Sequence, residues 1–340
     1  MAIGVLTAGG DCPGLNAAIR GVVARATSAG ADVVGIESGW DGLMGGVIRP
    51  LTRDDVRGIL AMGGTILGTS RTDPYLQGEG YASIAPAIQE WNIETLVVIG
   101  GDGSLRTASR LEREGRVKIV GVPKTIDNDI GGTDYTLGFH TGVQIVVDAI
   151  DRLTTTAESH NRVMVVEVMG RTTGWIAAAA GIAGGAEAIL VPERKIDYAE
   201  LASQIEKRHR AGHDYSVVVV AEGVLGPEGS TTTRGSDAYG YELLGGVGVK
   251  VASDIADRTG FETRVTTLGY LQRGGTPTAF DRLLGTRLGV KAAELALEGR
   301  TGVMAAVKGG HIVAVDLDQA CEVIRTLESD LIDIADWFVA

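Results

Sequence analysis

The sequence predicts an α/β protein made of two Rossmann-like βαβ domains, with parallel sheets covered by helices on both faces. Three observations lead there. Short apolar runs rich in Val and Ile alternate with longer amphipathic stretches from one end of the chain to the other, and unbroken apolar strands are those buried on both faces. The 340 residues, at roughly 150 per domain, make about two domains. The 50 glycines often come in pairs, among them Gly9-Gly10, Gly63-Gly64, Gly100-Gly101, Gly245-Gly246 and Gly274-Gly275. Paired glycines at strand ends let a backbone come close to phosphate, so polyanionic ligands are the first expectation.

Taken in order, Ile3–Leu6 is an apolar run stopped by a glycine pair, and Leu15–Thr27 then repeats apolar residues at helical spacing. Val33–Ile36 reads as the second strand. Leu96–Ile99 and Lys118–Val122 follow, separated by the helical pattern Leu105–Arg113. A helix over Thr141–Thr155 leads to strand Val163–Val168. Strand Ile189–Val191, helix Tyr198–His209 and strand Ser216–Ala221 repeat the unit. Val265–Leu268 and helix Asp281–Glu298 close it. The Gly-, Ser- and Thr-rich stretch Gly223–Gly248 reads as a mobile surface loop leading into a helix over Gly248–Arg258.

Composition excludes several classes of function. Lys and Arg number 31 against 43 Asp and Glu, a net charge of −12, which argues against a general binder of nucleic-acid backbones. Charged residues at 22% and hydrophobic ones at 44% fit neither a disordered chain nor a membrane protein. The longest apolar run, Gly174–Ala186, is well short of the ~20 residues a spanning helix needs. No secretory signal is visible at the start. Cys12 and Cys321 stand in no metal-ligand spacing, so a reduced, cytosolic setting is expected.

Four loops look chemical, three of them directly after predicted strands. Thr7–Gly21 (TAGGDCPGLNAAIRG) has the strand, glycine turn and helix start of an anion site; its plainer reading is a connector capped by Asp11 or Asn16. Gly63–Tyr75 carries Arg71, a planar cation able to reach a phosphate or simply a solvated charge. In Gly100-Gly101-Asp102-Gly103-Ser104 the glycines admit a polyphosphate, and the acidic residue suits Mg2+ held beside phosphate oxygens. In Pro123-Lys124-Thr125-Ile126-Asp127-Asn128-Asp129, two carboxylates two apart on an extended segment would project to one side. One could then take a proton from a hydroxyl while the other supports it. Arg162, Arg171, Arg264 and Arg273 fall at strand ends of an acidic protein, an arrangement that suits a phosphate ester.

GGDCPGLNAAIRG, GGTILGTSR, GGDGS, PKTIDNDI, GTDYTLGFHTG, EVMGR, AGGAEAILVPE and LGYLQRGG, in this order, resemble the 6-phosphofructokinase family over nearly the whole chain. NAD kinases and lipid kinases share only the GGDG turn. The resemblance implies transfer of the γ-phosphoryl group of ATP to the 1-hydroxyl of fructose 6-phosphate, with Mg2+ as cofactor. It implies a nucleotide domain at 1–138 with 259–308 and a fructose 6-phosphate domain at 139–258 with 309–340. Asp127 becomes the general base, with Thr125 and Asp129 positioning the reactants. Asp102 becomes the metal ligand, and Gly10, Arg71, Thr72, Gly101, Gly103 and Ser104 line the nucleotide. Met169, Gly170 and Glu222 hold the sugar, and Arg171 faces the transferring group. Arg162, Arg264, Tyr270 and Arg273 bind the 6-phosphate, with Arg162 and Arg264 donated by a neighbouring subunit of a cytoplasmic homo-oligomer, a tetramer.

The donor rests on two positions that disagree. Pyrophosphate-using relatives have aspartate where this chain has Gly103, and lysine where it has Lys124. An aspartate at 103 would crowd and repel the nucleotide's phosphates, so Gly103 favours ATP, and Lys124 is expected to swing aside. Pyrophosphate is the alternative donor, and a nucleotide-binding regulator without turnover is the alternative from another class. Tyr270 stands where many ATP-using members have histidine, so sugar-phosphate binding should lean on the arginines. Among effector-site positions Arg20, Arg53 and Glu187 look retained. Ala24 and Thr154 stand in place of arginines, and a lysine pair near Gly212–Asp214 is missing, so blunted allostery is expected; strong activation by ADP would contradict it.

Overall fold

A computed structural model describes residues 2–236 and 242–337. The chain divides into unit 1, Met1–Thr141 with Arg273–Ile324, and unit 2, Gly142–Gln272 with Arg325–Ala340. Unit 1 opens with β1 (Ala2–Ala8), α1 (Leu15–Ser28), β2 (Asp32–Ile36), α2 (Gly39–Gly45), β3 (Ile48–Pro50), α3 (Pro74–Gln77) and α4 (Tyr81–Glu90). It continues through β4 (Ile93–Gly100), α5 (Asp102–Arg113), β5 (Lys118–Thr125) and β6 (Leu137–Gly138). Helix α6 (Phe139–His160) leads into unit 2, with β7 (Val163–Val168), α7 (Trp175–Ala183), β8 (Ala188–Leu190), α8 (Tyr198–Arg210) and β9 (Ser216–Ala221). There follow β10 (Thr233–Ser236), β11 (Glu242–Leu244), α9 (Val247–Thr259) and β12 (Thr263–Thr267). The chain returns to unit 1 for α10 (Ala279–Leu297), β13 (Val303–Lys308), β14 (His311–Asp316) and α11 (Leu317–Glu322), and ends on α12 (Ser329–Trp337).

The predicted α/β class holds. Unit 1 has a sheet in the order β14-β13-β5-β4-β1-β2-β3, and unit 2 one in the order β12-β7-β9-β8. Pairing is parallel except at the edges β2–β3 and β13–β14. Every residue of β1, β7 and β9 is buried, as their unbroken apolar runs require. No helix among the described residues is long and apolar enough to cross a membrane.

Helices α1 and α10 pack backbone to backbone because glycines face each other. A methyl group on Gly289 would lie 2.1 Å from the Ala18 carbonyl oxygen, and one on Gly21 would lie 2.6 Å from that of Thr286. Asp281, fully buried at the start of α10, accepts the Gly138 N–H at 2.9 Å and the Thr141 N–H at 2.7 Å. It thereby satisfies donors that the first turn of α6 would otherwise leave unpaired.

Three expectations change. β12 pairs in parallel with β7, Arg264 opposite Met164, so 259–272 belongs with unit 2. β14 pairs with β13, so 309–324 belongs with unit 1. The stretch Gly223–Gly248 is not wholly loop: β10 and β11 pair antiparallel within it, and α9 begins at Val247; residues 237–241 lie outside the described residues.

Candidate active site

The register of unit 1 decides what can meet. Ala8 of β1 is opposite Gly100 of β4, and Gly100 is opposite Pro123 of β5, so the three loops beyond them leave one carboxyl edge side by side. β1 lies between β2 and β4, so the connections diverge to either side there. That divergence is the switch point at which open α/β sheets bind ligands.

The first loop is held from several directions. Gly9 turns at φ +84°, its N–H donates to the Ser70 carbonyl at 2.8 Å, and its own carbonyl accepts the Thr69 hydroxyl at 2.6 Å. Arg273 Nη1 donates to the Asp11 carbonyl at 3.2 Å. A methyl group on Gly10 would meet that guanidinium at 2.7 Å. Neither Asp11 nor Asn16 caps α1: Gly14 does, in a left-handed conformation. Asn16 instead accepts the Ile66 N–H at 2.8 Å and donates to the Met62 carbonyl at 3.2 Å, tying the segment that leads to Arg71 and Thr72 onto α1. Next to it Asp73 caps α3 and accepts the Thr107 hydroxyl of α5 at 2.7 Å.

Lys124 does not behave as a lysine able to swing aside. Only 2% of it is exposed, and its Nζ donates to the Gly10 carbonyl. Burial pushes it down from the usual 10.5 to about 8. With a folded value below the unfolded one, its contribution to stability is fully present above pH 10.5 and is lost as pH falls through 8. In urea unfolding between pH 7.5 and 10, the wild-type protein should therefore gain on Lys124→Met as pH rises, by about 2 kcal/mol across that window. Parallel pH profiles for the two proteins would refute this.

In the second loop Gly101 is the N-cap of α5, and as a glycine it offers no side chain to cap the first-turn N–H groups. Asp102, Gly103 and Ser104 thus present the positive end of a helix dipole. A side-chain atom on Gly103 would meet nothing within 4 Å. Asp102 is 26% exposed and pairs with Arg106 at 2.8 Å, a surface contact of small worth. Mg2+ typically takes one or two protein carboxylates and completes its shell with water and phosphate oxygens. A single part-exposed carboxylate at a glycine-rich helix start fits that donor set.

The third loop carries the acids. Thr125 Oγ1 donates to Asp127 Oδ2 at 3.1 Å and accepts the Asp127 N–H at 3.1 Å. Asp127 and Asp129 are each 7% exposed. The segment is not extended, however: Asn128 has φ +54°, a left-handed turn that asparagine tolerates better than most residues. Its Oδ1 accepts the Thr136 N–H at 2.9 Å. Strand alternation therefore does not place the two carboxylates; the asparagine turn does.

Unit 2 gathers the sugar candidates at the carboxyl edge of its own sheet, where Val168 of β7 is opposite Ala221 of β9. Met169, Gly170 and Arg171 follow β7, and Glu222 follows β9. Glu222 Oε1 accepts the Arg171 N–H at 3.1 Å. Arg171 has φ +53° and Tyr270 is 71% exposed. Gln272, fully buried, accepts the Met169 N–H at 3.2 Å; it was missed as a site residue although it lies inside the QRGG segment. The three arginines of unit 2, Arg162, Arg171 and Arg264, do not form one cluster. Arg162 and Arg264 stand at the amino end of the sheet, about 20 Å along β7 from Met169, and share Glu262, Arg162 at 2.9 Å. Arg273 belongs to unit 1.

An acidic turn beside two glycine-rich loops on one sheet edge is equipment that suits a phosphotransferase. The phosphofructokinase family model matches residues 2–296. The chain is 49% identical to the pyrophosphate–fructose 6-phosphate 1-phosphotransferase of Amycolatopsis methanolica, over 99% of each chain. It is 48% identical to ATP-dependent 6-phosphofructokinase 2 of Streptomyces coelicolor, again over 99% of each. Its fold matches Pichia pastoris phosphofructokinase in the T-state with a TM-score of 0.83 and 34% identity, covering 94% of this chain and 35% of that one. The chain belongs to the phosphofructokinase family.

Proposed function

We propose that the protein is an ATP-dependent 6-phosphofructokinase of glycolysis, acting in the cytoplasm and making fructose 1,6-bisphosphate and ADP. Unit 1 carries the donor residues, the base and Arg273, and unit 2 carries the other sugar residues. Asp127 takes the proton of the 1-hydroxyl, with Thr125 fixing the carboxylate's orientation. The first-turn N–H groups of α5 and the Gly9–Gly10 turn hold the donor phosphates and neutralise charge as it moves between oxygens. Asp102 would hold Mg2+, whose chemistry is to draw charge from the phosphate oxygens. Arg171 meets the phosphoryl group in transfer. The separation of Arg162 and Arg264 from Met169, Gly170 and Arg171 along the unit 2 sheet supports their donation to a neighbouring subunit, and hence a homo-oligomer, a tetramer, which sedimentation tests. Effector binding is expected to be blunt: Glu187 is already paired with Arg208 at 2.8 Å, and Arg53 is bonded to Thr27 at 3.1 Å.

The observation that carries ATP over pyrophosphate is Gly103, whose open surroundings leave room for a nucleotide. Lys124, a buried cation beside the Gly10 loop, favours the pyrophosphate reading, and relatives of both kinds are 47–50% identical. Steady-state rates on fructose 6-phosphate with ATP and with pyrophosphate in parallel decide it. ATP should be preferred at least tenfold in kcat/KM, and Gly103→Asp should lose most ATP use. Equal or greater use of pyrophosphate by the wild-type protein would reverse the assignment.

A further inference from the structure

The loop from Gly170 to Gly174 in unit 2 holds its arginine in an unusual backbone conformation. Arg171 is left-handed, at φ +53°, and such residues persist where their surroundings over-determine them. Part of that support is the Glu222 bond to Arg171 N–H described above. A second part is Gly223, where a methyl group would stand 2.1 Å from the Arg171 carbonyl oxygen.

A third part comes from Glu193, which closes the AGGAEAILVPE segment and has had no role so far. Its Oε1 accepts the N–H of Gly174, the N-cap of α7, at 3.0 Å. The same oxygen accepts the Leu327 N–H, also at 3.0 Å. Leu327 lies on the segment by which the chain re-enters unit 2. That segment also grips the first residue of α7: Trp175 Nε1 donates to the Arg325 carbonyl at 3.0 Å, and the Arg325 guanidinium lies 4.0 Å from the centre of the Trp175 ring. Gly174 itself is confined, since a methyl group there would meet Val191 at 2.5 Å and Glu193 Oε2 at 2.9 Å. One end of the Arg171 loop is thus fixed by Glu222 and the other by Glu193, which ties it to Leu327, 134 positions beyond Glu193 in the chain.

We propose that Glu193 is a positioning residue for Arg171, and that the returning segment Arg325–Leu327 is part of the support that sets the Arg171 loop. This rests on the phosphoryl-transfer role given to Arg171 above. A double-mutant cycle tests it, because coupling shows as non-additivity where independent losses add. Glu193→Ala should lower kcat about tenfold or more while the KM for fructose 6-phosphate moves less than threefold. Glu193→Gln should stay within about threefold of wild type, since glutamine keeps the one oxygen that both N–H groups use. In an Arg171→Ala background, Glu193→Ala should cost nothing further. Trp175→Phe, a milder change that removes only the Nε1–H donor, should lower kcat two- to fivefold and likewise be silent without Arg171. Full additivity of either change with Arg171→Ala, or a glutamine variant as impaired as the alanine one, would overturn the proposal. If Arg171→Ala alone leaves kcat intact, the role of Arg171 is what fails, and the positioning role falls with it.

Discussion

Asp127→Ser is expected to lower kcat about a thousandfold, or about 4 kcal/mol of barrier, with both Michaelis constants within a few-fold of wild type. The reason is local. Thr125 and Asp127 bond reciprocally, so the carboxylate is held in one orientation before substrate arrives. Serine at 127 can still accept a hydrogen bond but cannot take up a proton near neutral pH. The fold should survive, because the turn is set by Asn128 and Thr136 and not by the acid. Turnover within a few-fold of wild type would remove the general base from the mechanism.

The second large effect is on folding. Gly289→Ala is expected to cost 3 kcal/mol or more, on the order of the worst overpacking changes, because the new methyl group would sit 2.1 Å from a backbone oxygen of α1. Backbone cannot rotate away as a side chain can, so α1 and α10 must separate along their length. Gly103→Ala is the control. It is the same chemical change, also within a helix, but with nothing inside 4 Å; alanine's better helix propensity makes it neutral or slightly stabilising. Equal melting temperatures for the two variants would show that the α1–α10 approach does not limit stability.

Much of this could be read from the chain before any coordinates. Strands buried on both faces announce themselves as unbroken apolar runs, which is why β1, β4, β5, β7 and β9 were legible. The two glycine-rich turns after β1 and β4 were too, because a strand, a glycine pair and a helix start are adjacent in sequence. β3 and β6, at three and two residues, are too short to show a period. α7 (WIAAAAGIA) contains no polar residue, so it has no polar face to set a helical rhythm. The unit boundaries depend on β12 pairing with β7 and β14 with β13, which are tertiary choices that local pattern does not encode. Lys124 was misjudged for a related reason: burial is set by what packs around a side chain, and its partner at Gly10 is 114 residues away. The turn at Asn128 was misread as extended because a single left-handed residue between two acids leaves no periodic trace.

A crystal structure of the Asp127→Ser protein with magnesium–ATP and fructose 6-phosphate bound would test most directly whether the three loops on the carboxyl edge of unit 1 form the donor site. The donor phosphates should lie within hydrogen-bond distance of the Gly103 and Ser104 N–H groups, the metal should touch Asp102, and the sugar 1-hydroxyl should point at position 127. Phosphates bound away from the first turn of α5, or a 1-hydroxyl directed elsewhere, would contradict the site as a whole.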